Sequence, residues 1–564
     1  MAFANFFDRA LMSVTQALRG ADANALEARL AAQVVELGFD RRAAETFEGR
    51  ASLDLAVRLL ARLYPSLRLM AFDQAAGLAV AELATLARAI NPDIDLTPTL
   101  RATVRLVFGD TRAAGRTPTV YAGSEGWLAK VSGRGPQGCA DTDLPFGAGA
   151  SACLGAANVF RRVFRDVLPR GETDRDTVLS LFDFSTGAIA TQGPLAGEAD
   201  LGITPLVGLG AIGNAVVWTL ARTARLTGTL HLVDHEVVEL SNLQRYGLAL
   251  QADIKRVKVE LARQILSAGA SPLTVRPFVD RWADYVEGRG HPTFLRAVAA
   301  LDSARDRIEV QAALPARTLN AWTQAGDLGI SRHDFLGDEA CLACLYLPKG
   351  QAPNEDQLIA EALGLPLEMP VLHDIRERLV TGQPVGEAFV RDAADRLGVA
   401  VDGLLRFAQE PLRQFYAKAV CGAQLLPLHA GRPPVEAPLA FQSALAGVML
   451  AAELVSEAGA LRPHPLPTKT VVDLMRPLGG RLNTRIAKPI LGAGPRCLCQ
   501  DSDFISAYGV RHGAVASRRN KGADASASGT KARVPRNGRG PSSRSGGAAL
   551  QTRPTTPPSS KTGA

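Results

Sequence analysis

Aromatic residues are scarce in this 564-residue chain, at 5%, and cysteines number only seven. An odd cysteine count in a chain this long argues against a disulfide-stapled framework, which belongs to short extracellular domains. No N-terminal stretch combines a basic head, an apolar run and a small-residue cleavage site, so secretion is not expected. Long apolar runs are missing as well. The most apolar window, 437–455, carries Gln442, Ser443 and Glu453, a composition that suits a buried helix rather than a bilayer span. The expected location is the cytoplasm, with no membrane partner. What is present is 47% hydrophobic residues and enough length for three or four domains of roughly 100–200 residues each.

Acidic residues are nearly absent from the C-terminal end. From Gly513 to Ala564, ten Lys or Arg face Asp524 alone, so the formal charge of +7 belongs to this tail and the body is close to neutral. The tail is rich in Ser, Gly, Pro, Thr and Ala and has few large apolar groups to offset its ordering entropy. It reads as a disordered basic extension over 513–564. Contact with nucleic acid through it is expected to be weak, because it has no aromatics for stacking and no dense basic block.

Along the body, residues 1–195 alternate long helical patterns, such as Leu53 to Leu63, with short apolar runs such as Thr103 to Phe108, a buried strand. The alternation predicts an α/β layer domain. Residues 185–202, low in charge and rich in Gly, Ala and Thr, read as a linker. A strand through Leu206 then ends in glycine, a helix follows from about Asn214 to Thr223, and Leu230 to Asp234 forms a second strand. A second helix over Arg256 to Leu266 and a later strand ending at Leu301 and Asp302 complete a βαβαβ pattern, which demands a parallel sheet. Residues 345–435 read as mostly helical.

Gly208, Gly210 and Gly213 form G-x-G-x-x-G directly after the first strand of that pattern and open its helix. Such glycines permit a tight turn and bring backbone N–H groups close to a phosphate at a positive helix end. Asp234, ending the next strand, is placed to accept from ribose hydroxyls. These features alone suit a nicotinamide or flavin site equally. The residues after Asp234 turn the reading toward a triphosphate: Ser241-Asn242-Leu243-Gln244-Arg245, then Asp253-Ile254-Lys255-Arg256-Val257-Lys258, then Asp302 to Arg307. Several fixed cations and an amide are needed where negative charges must be held while one phosphorus is attacked.

This block resembles the ThiF/MoeB adenylating family and the ubiquitin-activating enzymes. Their succession is G-x-G-x-x-G, D-x-D/E, S-N-L-x-R, D-I-G-x-x-K and D-N-x-x-x-R, and five such elements stand here in order over about a hundred residues. The resemblance implies a Rossmann-like α/β adenylation domain in which Asp234 binds ribose and Asn242, Arg245 and Lys258 contact phosphates. Asp302 would hold Mg²⁺ at the α-phosphate of ATP. Two departures stand out: Lys255 replaces the usual Gly, and Ser303 the usual Asn.

The family also holds a structural Zn²⁺ with two cysteine pairs, which the resemblance places at Cys341, Cys344, Cys497 and Cys499. The second pair is C-x-C rather than C-x-x-C, and 152 residues separate the pairs. Reduced buried thiols remain the alternative. Cys421 lies between the pairs, where ubiquitin-activating enzymes carry the thioester-forming cysteine. Catalysis by its thiolate and burial as a small hydrophobe are both open. A Pro-Phe-Gly turn and small-residue helix at 143–160 echo 437–454, which implies that 1–195 is a degenerate, inactive adenylation-like domain.

The expected organisation is that degenerate domain, the first part of the active domain over 200–344, the helical cysteine region over 345–435, and the closing part over 436–510. The resemblance is greatest to activating enzymes of prokaryotic ubiquitin-like conjugation operons, including antiphage systems. It implies a ubiquitin-like or ThiS/MoaD-like carrier as partner, followed by a conjugating enzyme. The rivals are a sulfur-carrier adenylyltransferase without a thioester step, a conjugating domain fused over 1–195, a dead nucleotide-fold scaffold, and a nicotinamide oxidoreductase.

Overall fold

Short runs rich in Val, Leu and Ile pair into two sheets, and the longer apolar helices pack between and around them. This computed structural model describes residues 3–18, 23–324, 326–347, 355–397, 401–405, 407–416, 438–490 and 496–513. Cys421 and residues 514–564 of the basic tail lie outside the described residues.

The first half opens with helices α1 (Phe7–Ala17) and α2 (Ala23–Ala31), then strand β1 (Val35–Phe39). Helices α3 (Arg41–Glu45) and α4 (Phe47–Leu60) lead to β2 (Leu67–Ala71), and α5 (Gly77–Ile90) to β3 (Val104–Phe108). Strands β4 (Thr119–Glu125) and β5 (Leu128–Ser132), helix α6 (Phe146–Val163) and strand β6 (Asp176–Ser180) complete it. The sheet order is β2-β1-β3-β4-β5-β6, parallel through β4 and antiparallel beyond.

The second half runs β7 (Ala199–Val207), α7 (Ala211–Arg222), β8 (Leu226–Val233), α8 (Lys258–Ser267), β9 (Thr274–Phe278), α9 (Trp282–Glu287) and β10 (Arg296–Ala299). It continues with α10 (Ala304–Ala312), β11 (Arg317–Thr323), β12 (Leu328–Asp334) and α11 (Leu342–Leu345). Five helices follow: α12 (Glu355–Ala362), α13 (Met369–Thr381), α14 (Gly386–Leu397), α15 (Asp402–Leu405) and α16 (Leu412–Phe415). They enclose an apolar cluster of their own that includes Ile359, Ile375, Val390 and Phe415. Helix α17 (Ala440–Ala458) and strands β13 (Lys469–Val472) and β14 (Asn483–Thr484) close the fold. The sheet order is β14-β13-β12-β11-β10-β7-β8-β9, parallel from β9 to β11.

Without β9 and β14, the second sheet reads β13-β12-β11-β10-β7-β8 and matches β6-β5-β4-β3-β1-β2 strand for strand. The parallel and antiparallel neighbours agree too. In each sheet a long helix, α6 or α17, precedes the last matched strand. Both are buried nearly all round, from Phe146 through Arg161 and from Ala440 through Ser456, which is why neither shows an amphipathic stripe. Small residues let them approach closely. A Cβ on Gly447 would lie 2.5 Å from the Ile212 carbonyl oxygen of α7, and one on Gly149 would lie 2.9 Å from the Trp218 ring. One continuous apolar core spans both halves.

Two boundaries differ from the sequence reading. The stretch 185–202 is not all linker, because β7 already begins at Ala199. Its alternation is masked by Gly202, Thr204 and Pro205. The strand expected to end at Asp302 stops at Ala299, and the chain turns before Ser303 caps α10 by accepting from the Asp306 amide at 3.0 Å. Among the described residues, no helix is long and apolar enough to cross a membrane.

Candidate functional site

The carboxyl end of the parallel strands, where the order turns from β7 to β10, carries a cavity of about 1140 Å³. Ligands of doubly wound sheets settle at this position, because loops of adjacent strands diverge there. Gly208, Gly210, Asp234, Arg245, Lys258 and Asp302 line it together, although the sequence spreads them over about a hundred residues.

The glycines do different work. Gly208 takes a φ of +90°, and a Cβ there would fall 2.6 Å from the Ala300 carbonyl oxygen. Gly213 faces inward: its Cβ would meet the Gly208 carbonyl oxygen at 2.2 Å, so it serves the packing of turn on helix and does not line the cavity. Gly210 is the open one. It sits at the N-cap of α7, and its Cβ would meet only the Tyr246 hydroxyl, at 3.6 Å. The helix end, with its free N–H groups, therefore faces the cavity at this residue.

Asp234 is 8% exposed and holds the turn: its Oδ2 accepts from the Leu209 amide at 2.7 Å and its Oδ1 from the Glu236 amide at 2.9 Å. Lys258 is buried at the start of α8, where Nζ donates to Glu236 and lies 5.2 Å from the Tyr246 ring. Burial works against its charge, but Tyr246, Asp234 and Glu236 outweigh that and hold the ammonium above its ordinary pKa. The cation is thus kept charged although its side chain is buried. Arg245 is half-buried with its guanidinium over Tyr246 at 5.9 Å, and Asp302 is exposed at the rim.

Asn242 stands apart from the rest. It closes a short helical turn (Leu240–Asn242), its Oδ1 accepting from the Glu239 amide at 3.0 Å, and it does not line the cavity. The cap uses only Oδ1, so the Nδ2 donor that a phosphate contact would need is not engaged by it. Sequence reasoning missed Tyr246, Trp322, Tyr346 and Lys469, which also line the cavity. Tyr246 follows Arg245 directly, but the other three come from β11, the end of α11 and β13, with no shared spacing to reveal them.

A second constellation brings Cys341, Cys344, Cys497 and Cys499 together across the 152-residue gap. Their sulfurs all lie within 4.8 Å of one another, with Cys341–Cys497 at 3.6 Å, Cys344–Cys497 at 3.4 Å and Cys344–Cys499 at 3.5 Å. A tetrahedral ion with metal–sulfur bonds of roughly 2.3 Å requires sulfur separations near ~3.8 Å. The cluster is close to that size, and such a site can hold a divalent metal of the zinc type.

Comparison with known proteins gives these features a context. The ThiF family model matches residues 204–474, and the model described as Prokaryotic E2 family C matches residues 38–165. The chain is 46% identical over 516 residues to the uncharacterized protein y4jF of Sinorhizobium fredii (strain NBRC 101917 / NGR234), covering 91% of this chain and 98% of that one. Among solved structures, E. coli MccB with ATP aligns at 15% identity, covering 52% of this chain and 65% of that chain, with a TM-score of 0.32. PaaA aligns at 15% identity, covering 48% and 61%, with a TM-score of 0.27. The chain belongs to the family of y4jF, and its residues 204–474 match the ThiF family.

Proposed function

We propose that the chain activates the C-terminal carboxylate of a ubiquitin-like carrier protein by adenylation with ATP and then captures the acyl group on Cys421 as a thioester. The observation that carries the first step is that Gly210, Asp234, Arg245, Lys258 and Asp302 line one cavity together. In this reading Asp234 accepts from the ribose, while the Gly210 turn, Arg245 and Lys258 hold the phosphates. Asp302 would hold Mg²⁺, which would supply further charge neutralisation at the phosphates. The carrier carboxylate attacks the α-phosphorus of ATP, the α–β bridging oxygen leaves with pyrophosphate, and the acyl-adenylate carries AMP as a good leaving group. The fixed cations favour the step by meeting charge as it develops.

The fourfold cysteine cluster fits a structural zinc, which would tie α11 to the segment after β14. The first half is a degenerate copy of the adenylation domain. Support comes from the matched sheet order and from Asp40, which follows β1 where the second half has Gly208. Its carboxylate accepts from the amides of Ala43, Asp110 and Thr111, so a built-in anion occupies the end of that strand. A conjugating role for residues 38–165, the stretch that matches Prokaryotic E2 family C, needs an accessible thiolate. Cys139 and Cys153 are both buried, and burial pushes the Cys139 thiol up to about 12.

The thioester step rests on the place of Cys421 between the cysteine pairs. Incubating the chain with ATP, Mg²⁺ and a small ubiquitin-fold protein ending in glycine tests this step. Wild type should form a reductant-sensitive adduct that Cys421→Ala loses while retaining ATP–pyrophosphate exchange. An adduct that survives in Cys421→Ala places the nucleophile elsewhere, and exchange without any adduct in wild type favours a sulfur-carrier type of activator.

A further inference from the structure

Arg62 lies just beyond the C-terminal end of α4 in the first half and is 1% exposed. Among the described residues, no carboxylate lies within ion-pair distance of it. Nη1 donates to the Arg58 carbonyl of α4, and Nε and Nη2 go to backbone carbonyls of the second half. Nε donates to Leu243 at 2.8 Å, and Nη2 donates to Tyr246 and Ala249, each at 2.7 Å. Arg58, one helical turn earlier, adds Nη1 donations to Gly247 at 3.1 Å and Leu248 at 3.2 Å. Its own Nε donates to Asp54, which also accepts from Trp218 and Arg222 of α7 at 2.8 and 3.1 Å.

The segment receiving these bonds, 243–249, is mostly buried and has no regular secondary structure. Its carbonyls have no ladder or helix to satisfy them, and guanidinium donors from the other half take that role. On its far side, Asn214 accepts from the Leu248 amide at 3.4 Å and donates to the carbonyls of Leu209 and Gly210 at 2.8 and 3.1 Å. The segment is thus fixed between Arg62 and the glycine turn. It carries Arg245 and Tyr246, both of which line the cavity.

We propose that Arg62 is a positioning residue for nucleotide binding: by holding the 243–249 carbonyls it sets Arg245 and Tyr246 against the phosphates. The degenerate half thereby builds part of the active one. The proposal rests on the ATP reading of the cavity, and it identifies a residue that touches neither nucleotide nor carrier. A lysine cannot replace it fully, because the planar fork reaches separate carbonyls and a single ammonium does not. Burial lowers the Arg62 pKa to about 9, in keeping with a cation stripped of water.

The test uses the full chain as wild type, Arg62→Lys, Arg62→Gln and, as a control, Arg29→Gln, which breaks a surface pair with Asp166. Two quantities are read on folded protein: MgATP affinity by titration calorimetry, and exchange of the Tyr246 and Leu248 amides without nucleotide. Arg62→Gln should weaken MgATP about tenfold or more, since small displacements of a binding group carry losses of that order. It should also speed exchange over 243–249 while leaving β10 unchanged. Arg62→Lys should fall between it and wild type, and Arg29→Gln should match wild type. If Arg62→Gln does not fold, Arg62→Lys decides by the same two readings. Wild-type affinity or unchanged loop exchange in a folded Arg62 variant overturns the proposal. If wild type itself binds no MgATP, the adenylation reading fails, and with it a nucleotide role for Arg62. Exchange then shows separately whether the clamp is real.

Discussion

Gly208 and Ala300 meet where the first and fourth strands of the second half diverge: a side chain on Gly208 would collide with the Ala300 carbonyl oxygen at 2.6 Å. Gly208 also holds a φ of +90°, so two separate penalties meet any substitution there. Gly208→Ala should destabilise the protein by about 3 kcal/mol and abolish nucleotide binding. Gly210→Ala should behave differently. Its φ is −66° and its Cβ would meet only the Tyr246 hydroxyl, so stability should change by less than about 1 kcal/mol while MgATP affinity falls. Denaturant titration and calorimetry on the two variants measure the contrast. Equal stability losses would contradict the roles assigned to the two glycines.

Lys255 stands where the related motif has glycine, and it adopts a φ of +73° while its amide donates to the Val238 carbonyl at 2.7 Å. A residue with a Cβ is strained in that conformation by roughly 1–2 kcal/mol. Lys255→Gly should therefore raise unfolding stability by about 1 kcal/mol, once the added freedom of the unfolded glycine is subtracted. A lower denaturation midpoint would show that the lysine side chain contributes an interaction of its own.

Glu453, buried on α17, is held by two guanidiniums: Arg332 reaches it at 2.8 and 2.9 Å, and Arg462 at 2.8 and 2.9 Å. Burial alone would raise its pKa, but the two arginines reverse the shift and hold the carboxyl well below its ordinary range. A carboxylate with a depressed folded pKa stabilises the fold above its unfolded value of about 4.3, and that contribution is lost as pH falls below it. Glu453→Gln should cost about 3–5 kcal/mol at neutral pH by leaving buried cations uncompensated. Its stability should also fall less steeply than wild type on acidification below that value. Parallel pH profiles for the two proteins would contradict the assignment.

The cysteine cluster makes a metal prediction. Purified protein should carry about one zinc per chain, and Cys497→Ser should lose both the metal and thermal stability. Elemental analysis and thermal melts check this. A metal-free wild type with unchanged melting would leave the four thiols as packing groups.

Much of the site was legible because its chemistry is tied to local backbone demands. A strand, a glycine turn and a helix must be contiguous, so Gly208, Gly210 and Asp234 could be read directly. Lys258 and Asp302 followed from the order of the motifs. Asn242 shows a role that its residue type did not announce: its Oδ1 accepts from the Glu239 amide and caps its own loop, away from the cavity lining. Trp322 and Lys469, 4.6 Å apart as ring and ammonium, approach only through the β11-β12-β13 pairing, which no short pattern encodes. Arg58 and Arg62 lie in a helical run where nothing marks them as interior residues. Their partners are carbonyls almost two hundred residues away, and carbonyls carry no sequence signature. The start of β7 was hidden for a related reason, since pairing with β8 sustains a strand whose own composition resembles a loop.

Adenylation of a carrier at this cavity is measured by ATP–pyrophosphate exchange with labelled pyrophosphate. The assay pairs wild type and Asp302→Ala with a ubiquitin-fold protein ending in glycine. Wild type should exchange only when that carrier is present. Asp302→Ala, folded and with unchanged melting, should lose about 10²–10³ in rate, the usual effect of removing a group that stabilises developing charge. Exchange in Asp302→Ala near the wild-type rate, or none from wild type with its carrier, would contradict the account.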